Sequence, residues 1–380
     1  MIKVINMKVR ILFPAIAVVI IIILLALFLF SPKSVAQTNS IKVAAIVPLT
    51  GNASDQGNWV REALLVAKEN INKDKNIEIE LFFEDSKGGN PSEAITAFNK
   101  LVSENNLDAL ITWGSGVGVA LIPLANENQL VQIGVATATP AYAIKSDYSF
   151  RIFPSTIFEG AFNARKIFND MNIRKAAVMY TNNDYGVSEK ESFVKEFEEL
   201  GGKVVASESI DLKLSDYRAQ VTKIMNSGPE LVFLPVYPIE GYLALKQLNE
   251  AGNKAVLYAT SAIEGNDFFK SKEFSEGLII AVHKFDETSS DPKVVEFVET
   301  YKKDFNVVPE VYRARVYDAL QIITVAIEQC GGKSGVCLKN QLESVPSWQG
   351  VLGEITFDEN GDLSNPQFEL LRVHDGVIGK

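Results

Sequence analysis

The sequence predicts an α/β protein of two lobes, each a mostly parallel sheet flanked by helices, and three observations carry that expectation. From Ile41 onward, buried-type apolar runs alternate with amphipathic stretches across short polar breaks, which is the pattern of strand–helix–strand units. The alternation completes one set, pauses at Phe153-Pro154, and starts again. The chain of 380 residues, 47% apolar and 22% charged, supplies enough material for two packed cores.

Before the first strand lies a segment of a different kind, residues 1–40. Residues 11–30 are uncharged and apolar, long enough to cross a bilayer. Lys3, Lys8 and Arg10 precede this run, so the positive-inside rule exports everything after it. Ser34-Val35-Ala36 is a small-residue cleavage site, while the length of the run equally fits an uncleaved anchor. No lipobox-type Cys follows it. The expected location is therefore extracytoplasmic, either attached by an N-terminal helix or released.

The elements then follow in order. A strand over 42–47 ends in Pro48-Leu49-Thr50-Gly51, and apolar spacing over 58–72 predicts a helix. A strand over 77–84 precedes a helix opened by Asn90-Pro91 and running through Val102. The strand over 108–112 leads into the turn Trp113-Gly114-Ser115-Gly116 and a helix over 117–126. A strand over 130–135 ends in Ala136-Thr137-Ala138-Thr139-Pro140. The second set has helices over 157–171, 187–200, 217–226 and 241–251, and strands over 175–180, 203–207, 231–236, 255–259 and 278–282. Two long helices, 293–305 and 311–329, are left over, followed by a hairpin of 353–357 and 368–373. Such leftovers mean that the lobes share the chain discontinuously. The expected division is 41–153 with 284–350 for the first lobe and 154–283 with 351–380 for the second.

Composition narrows the chemistry. Four of the 37 basic residues precede Ile41, and none of the 47 acidic ones does, so the exported part carries a net charge of −14. That argues against a nucleic-acid partner. Cys330 and Cys337, the two cysteines, read as a disulfide closing a small loop in an oxidising compartment. With only His283 and His374 there is almost no material for a His-based triad or metal cluster, and no enzyme is expected. Gly114-Ser115-Gly116-Val117-Gly118 has neither nucleophile-elbow nor dinucleotide spacing, so no cofactor is expected. Asp358-x-Asn360-x-Asp362 carries part of a calcium-loop spacing, but its strand-like flanks favour a hairpin turn.

What remains is a set of hydroxyl and aromatic residues at strand ends. Trp113, Gly114 and Ser115, with Thr137 and Thr139, belong to the first half; Tyr185 and Tyr237 belong to the second. A Gly turn between a strand and a helix aims backbone N–H groups at an anion, and ligands of open α/β sheets sit beyond the strands' carboxyl ends. Two such crests facing each other would enclose a small polar molecule.

The order and spacing of these segments resemble the type I periplasmic binding proteins of the leucine/isoleucine/valine-binding kind, over about 41–377. The carriers are Ile41-Lys42-Val43-Ala44 with Pro48-Leu49-Thr50-Gly51, Phe83-Glu84-Asp85-Ser86 with Pro91 and Ala94, and Trp113-Gly114-Ser115. Asp184-Tyr185-Gly186, Tyr312, Tyr317-Asp318-Ala319-Leu320, Gly350-Val351-Leu352-Gly353 and 357–362 continue the likeness. It implies three crossovers at a hinge, a ligand in the cleft, and a monomer that hands an amino acid or related carboxylate or amide to an ABC permease. Ser115 and its turn would take the ligand carboxylate, Thr137 or Thr139 would assist, Tyr185 and Tyr237 would close over it, and Tyr312 would lie near the hinge. Three departures stand out. Ala138 replaces a usual Thr, Gln56 replaces a usual aromatic, and Ser261 stands where an acidic partner for an ammonium group is usual, with Glu240 and Glu264 nearby. Trp113 offers either a stacking wall or core packing. A membrane-anchored sensing domain of the same fold is the alternative function.

Overall fold

The computed structural model describes residues 39–74, 77–145, 147–212, 214–265, 268, 272–331, 335–364 and 366–379. The expected export or anchor segment lies outside them. Among the described residues no helix is long and apolar enough to cross a membrane.

Two sheets organise the chain. The first runs in the order β2-β1-β3-β4-β5, built from β1 (Asn39–Val47), β2 (Ile77–Asp85), β3 (Ala109–Thr112), β4 (Gln132–Gly134) and β5 (Ser149–Arg151). Its recorded pairings from β1 through β5 are parallel. In β1 the period-2 alternation explains both faces. Val43, Ala45 and Val47 pack with α1 (Ser54–Asp74), whereas Ala44 and Ile46 meet α2 (Pro91–Glu104) and α3 (Ser115–Glu127). Burial on both sides is why these strands read as continuous apolar runs.

The second sheet contains β6 (Lys175–Thr181), β7 (Lys203–Ile210), β8 (Leu231–Leu234), β9 (Val256–Thr260), β10 (Ile279–His283), β13 (Phe368–His374) and β14 (Val377–Gly379), in the order β14-β13-β10-β9-β8-β6-β7. The strands β6 to β10 pair in parallel, and β13 closes on β10 antiparallel. Ala176, Val178 and Phe233 pack on one face with α4 (Thr156–Arg165) and α5 (Asp184–Glu199). Ala177, Met179 and Val232 pack on the other with α6 (Arg218–Asn226) and α7 (Pro238–Glu250). The helix expected over 157–171 ends its α-turns at Arg165 and finishes as a π-helical turn, Lys166–Asp170.

The two long helices, α8 (Pro292–Phe305) and α9 (Val311–Gln329), return to the first sheet, where Phe297, Tyr301, Leu320 and Ile323 join its larger core. Val351 and Ile355, from the small hairpin of β11 (Trp348–Gly350) and β12 (Gly353–Ile355), are buried in the same cluster as Leu320 and Ile323, and the chain returns to the second sheet at β13. Asp318 of α9 accepts the backbone N–H groups of Val351 (2.8 Å) and Leu352 (2.9 Å) and pins the hairpin to the helix.

Cys330, at the end of α9, and Cys337, in α10 (Gly335–Ser344), form the disulfide, with Cα atoms 6.0 Å apart. It ties α10, which buries Leu338 and Leu342 on the first core, to the end of α9. Loop-closure entropy for so short a loop is worth roughly 2–3 kcal/mol. Reduction is therefore expected to lower the melting temperature by several degrees, read by calorimetry with and without reductant; an unchanged Tm would sink the assignment of a stabilising role.

Candidate functional site

Beyond the carboxyl ends of the parallel strands the two sheets' loops meet, Trp113 after β3 against Tyr237 after β8. On the first side, Gly114 (φ +95°) takes the left-handed backbone that lets β3 turn straight into α3. Gly114 supplies no side-chain cap to that helix, so Ser115, its first residue, stands at the positive end of the helix dipole, where a Cβ on Gly116 would lie 2.8 Å from the Asp184 carboxylate. The Ser115 hydroxyl is almost wholly buried and accepts the backbone N–H groups of Ala138 (3.1 Å) and Thr139 (3.2 Å). The Thr137 hydroxyl donates to the Gly114 carbonyl (3.3 Å), and thus faces its own lobe. The 137–139 loop and the 114–115 turn are interlocked.

On the second side, Asn183 caps α5 by accepting the N–H of Gly186 (2.9 Å). A Cβ at Gly186 would lie 2.0 Å from the Thr181 carbonyl oxygen, so only glycine lets α5 start this close to β6. This geometry delivers Tyr185, whose hydroxyl bonds that of Thr260 (2.6 Å) and whose ring stacks on Tyr237 at 5.6 Å. Tyr237, just ahead of α7, accepts a hydrogen bond from Asn183 Nδ2 (3.4 Å). Burial, followed by the nearby Glu159 and Glu189, holds the Tyr185 phenol well above its ordinary range.

The two sides meet. The Trp113 ring lies 5.8 Å from Tyr237 and packs in the first core, which is one of the two roles expected of it. Its indole Nε1 is buried without a hydrogen bond of good geometry. Tyr312, at the start of α9, sits beside that indole and packs edge-on against Trp59 at 6.0 Å; its hydroxyl is held above its usual range, first by burial. Gln56 reaches across to the carbonyls of Ala262 (3.2 Å) and Glu264 (3.1 Å), and Asn52 to Leu212 O (2.9 Å) and Glu240 Oε1 (3.0 Å). Glu240 thus receives an amide of the opposite lobe, while the Glu264 carboxyl is pushed up by burial and by Glu310, with Arg313 opposing. Ser261 opens a 3₁₀ turn directly after Thr260 and is half-buried.

Behind Tyr185 lies a buried set that sequence reasoning missed. Phe153, His283 and Phe368, one from each chain crossing between the sheets, pack together, with His283 4.9 Å from Phe153 and 5.0 Å from Phe368. Arg315 of α9 covers Phe153 at 4.5 Å and meets the His283 ring nitrogen Nδ1. Glu159 of α4 and Glu189 of α5 are fully buried; burial raises both pKa values, and Arg315 opposes the shift at Glu159. These residues come from distant segments, and no local spacing announces them. Two open surface cavities of about 360 Å³ lie elsewhere, one beside Phe158 and Phe368 and one beside Asn249 and Arg372.

The sequence profile of the family described as "Periplasmic binding protein" matches residues 40–376. The chain belongs to the periplasmic binding protein family. As a periplasmic binding protein it is a solute-binding receptor. It is 24% identical over 344 residues to Leu/Ile/Val-binding protein homolog 3 of Brucella melitensis, covering 89% of this chain and 92% of that one. A leucine binding protein from Thermotoga maritima superposes with a TM-score of 0.82 at 25% identity, covering 89% of this chain and 97% of the other. An ABC transporter solute binding protein from R. palustris, solved in complex with benzoate, shares the fold at a TM-score of 0.80 and 18% identity, over 90% and 95% of the two chains.

Proposed function

We propose that this periplasmic binding protein works outside the cytoplasm and captures a small carboxylate, an amino acid in the first place, between Ser115 and Tyr185. We propose further that it passes its ligand to an ABC permease in the membrane. The observation that carries this reading is the hydroxyl of Ser115. Both of its acceptor positions are filled by Ala138 and Thr139, which leaves it one proton to donate, at the uncapped start of α3. A hydroxyl in that state at the N-terminal end of a helix suits an anionic oxygen. Trp113, Tyr185 and Tyr237 supply the apolar wall beside it.

The relatives named for leucine, isoleucine and valine support an amino acid, and the benzoate complex supports a planar carboxylate of similar size. Ser261 cannot supply the negative charge that an ammonium group seeks, so the acid must come from elsewhere in the cleft or the ligand must lack the amine. Residues 1–40 would act as export signal or anchor, and the acidic exported part would act as a monomer without nucleic acid.

Calorimetric titration of the purified protein with leucine, isoleucine, valine, benzoate and 4-hydroxybenzoate tests the proposal. Binding of at least one at micromolar or tighter affinity is expected. Silence across the whole panel would count against the carboxylate reading.

A further inference from the structure

We infer that Arg151 and Asp362 are positioning residues that hold the 137–139 loop in its binding shape. Arg151 is the last residue of β5 and its side chain is fully buried. Its guanidinium divides its N–H groups between two tasks. Nε (2.5 Å) and NH2 (2.7 Å) grip both oxygens of Asp362, while NH1 donates to the carbonyls of Thr139 (2.7 Å) and Thr137 (3.3 Å). Those carbonyls belong to the same short loop whose N–H groups, on Ala138 and Thr139, grip Ser115 Oγ. The loop is thus held from both faces, by a guanidinium behind and by the serine in front.

Asp362 is presented by the turn whose Glu359 pairs with Lys145 (2.7 Å) and whose flanking Phe357 packs edge-on against Phe150. Asp358 accepts the N–H groups of Asn360 (2.8 Å) and Asp362 (2.9 Å), and Phe357 bridges to Leu363, so a turn forms over 358–362; the hairpin expected of 353–357 with 368–373 does not, because β12 pairs with β11 and β13 with β10 and β14. The turn docks on β5 through Arg151 N donating to Gly361 O (3.0 Å). Gly361 has φ +81°, and a Cβ there would lie 2.6 Å from the Ser149 carbonyl oxygen. The acidic spacing that carries part of a calcium-loop pattern therefore commits its last carboxylate to an arginine. Only a planar fork can span a bidentate carboxylate and two carbonyls at once; a lysine ammonium retains the charge but not the reach.

The inference rests on the proposal that this loop borders the ligand, so its test reads the loop separately. Amide hydrogen exchange on the full chain, for wild type, Arg151→Lys and Asp362→Asn, is measured at Ala138 and Thr139 and across β3 and β4. Exchange at least tenfold faster at Ala138 and Thr139, with β3 and β4 unchanged, is expected in both variants. Affinity for L-leucine or benzoate, whichever the wild type binds, should fall about tenfold alongside. Unchanged exchange at those two amides overturns the inference, as does protection lost evenly through the sheet, which would mark a purely structural pair. If Arg151→Lys does not fold, Asp362→Asn decides. A wild type that binds neither probe defeats the ligand proposal, and the exchange data still judge the brace.

Discussion

Ser115→Ala is expected to weaken carboxylate binding by roughly 10- to 100-fold and to lower stability at the same time. The first effect is the loss of a hydrogen bond from a neutral donor to a charged acceptor, worth about 1.5–3 kcal/mol. The second arises because the methyl group leaves the N–H groups of Ala138 and Thr139 buried without an acceptor. Each orphaned group costs about 1–3 kcal/mol where water cannot reach it. Calorimetric titration and thermal melts on the same preparation separate the two. A variant that melts early but binds leucine or benzoate as tightly as wild type would show that Ser115 serves the loop and not the ligand.

Raising the pH is expected to destabilise the fold from mildly acidic to alkaline conditions. Burial lifts the Asp318 carboxyl to about 7 and that of Asp147 to about 6, and it also raises Glu159, Glu189 and Glu264. In the unfolded chain all five titrate near 4. A carboxyl whose folded pKa is raised binds its proton more tightly when folded. Its contribution is therefore complete below about pH 4 and is lost as the pH climbs through the folded value. Asp85 and Glu230 act in the opposite sense, since their folded pKa values are lowered, and they limit stability in strong acid. The stability maximum should sit near pH 5. A melting temperature lower by about 5–10 °C at pH 8.5 than at pH 5.5 corresponds to a few kcal/mol for a chain of this size. A Tm that rises over that interval would mean that these carboxyls are ionised and satisfied where they lie.

The fold was legible because its strands are buried on both faces. Runs such as Val43 to Val47 and Leu231 to Leu234 are apolar without interruption, and the amphipathic stretches between them have helical period. The helix over 311–329 was bounded correctly by its composition alone. What escaped notice was short or long-range. β5 and β11 have three residues each, too few for a period, and α10 hides in the stretch between Cys330 and Trp348. The candidate residues at strand ends could be named because a parallel sheet puts its loops in one place. Their partners could not. Nothing local marks Arg151 as buried, and Asn52 meets Leu212 across 160 positions of sequence.

Those amides at the start of α1 have a consequence for how the receptor signals that it is loaded. Asn52 and Gln56 make four hydrogen bonds across the cleft, all to protein groups and none needing a solute. At about 0.5–1.5 kcal/mol each, they would bias an opening and closing of the proposed site toward its shut state before anything is bound. A pre-shut fraction would raise apparent affinity, because less of the solute's binding energy would go into rearranging the protein. If the proposed permease reads the outline of the receptor, an empty shut form would differ from a loaded one chiefly in its lifetime.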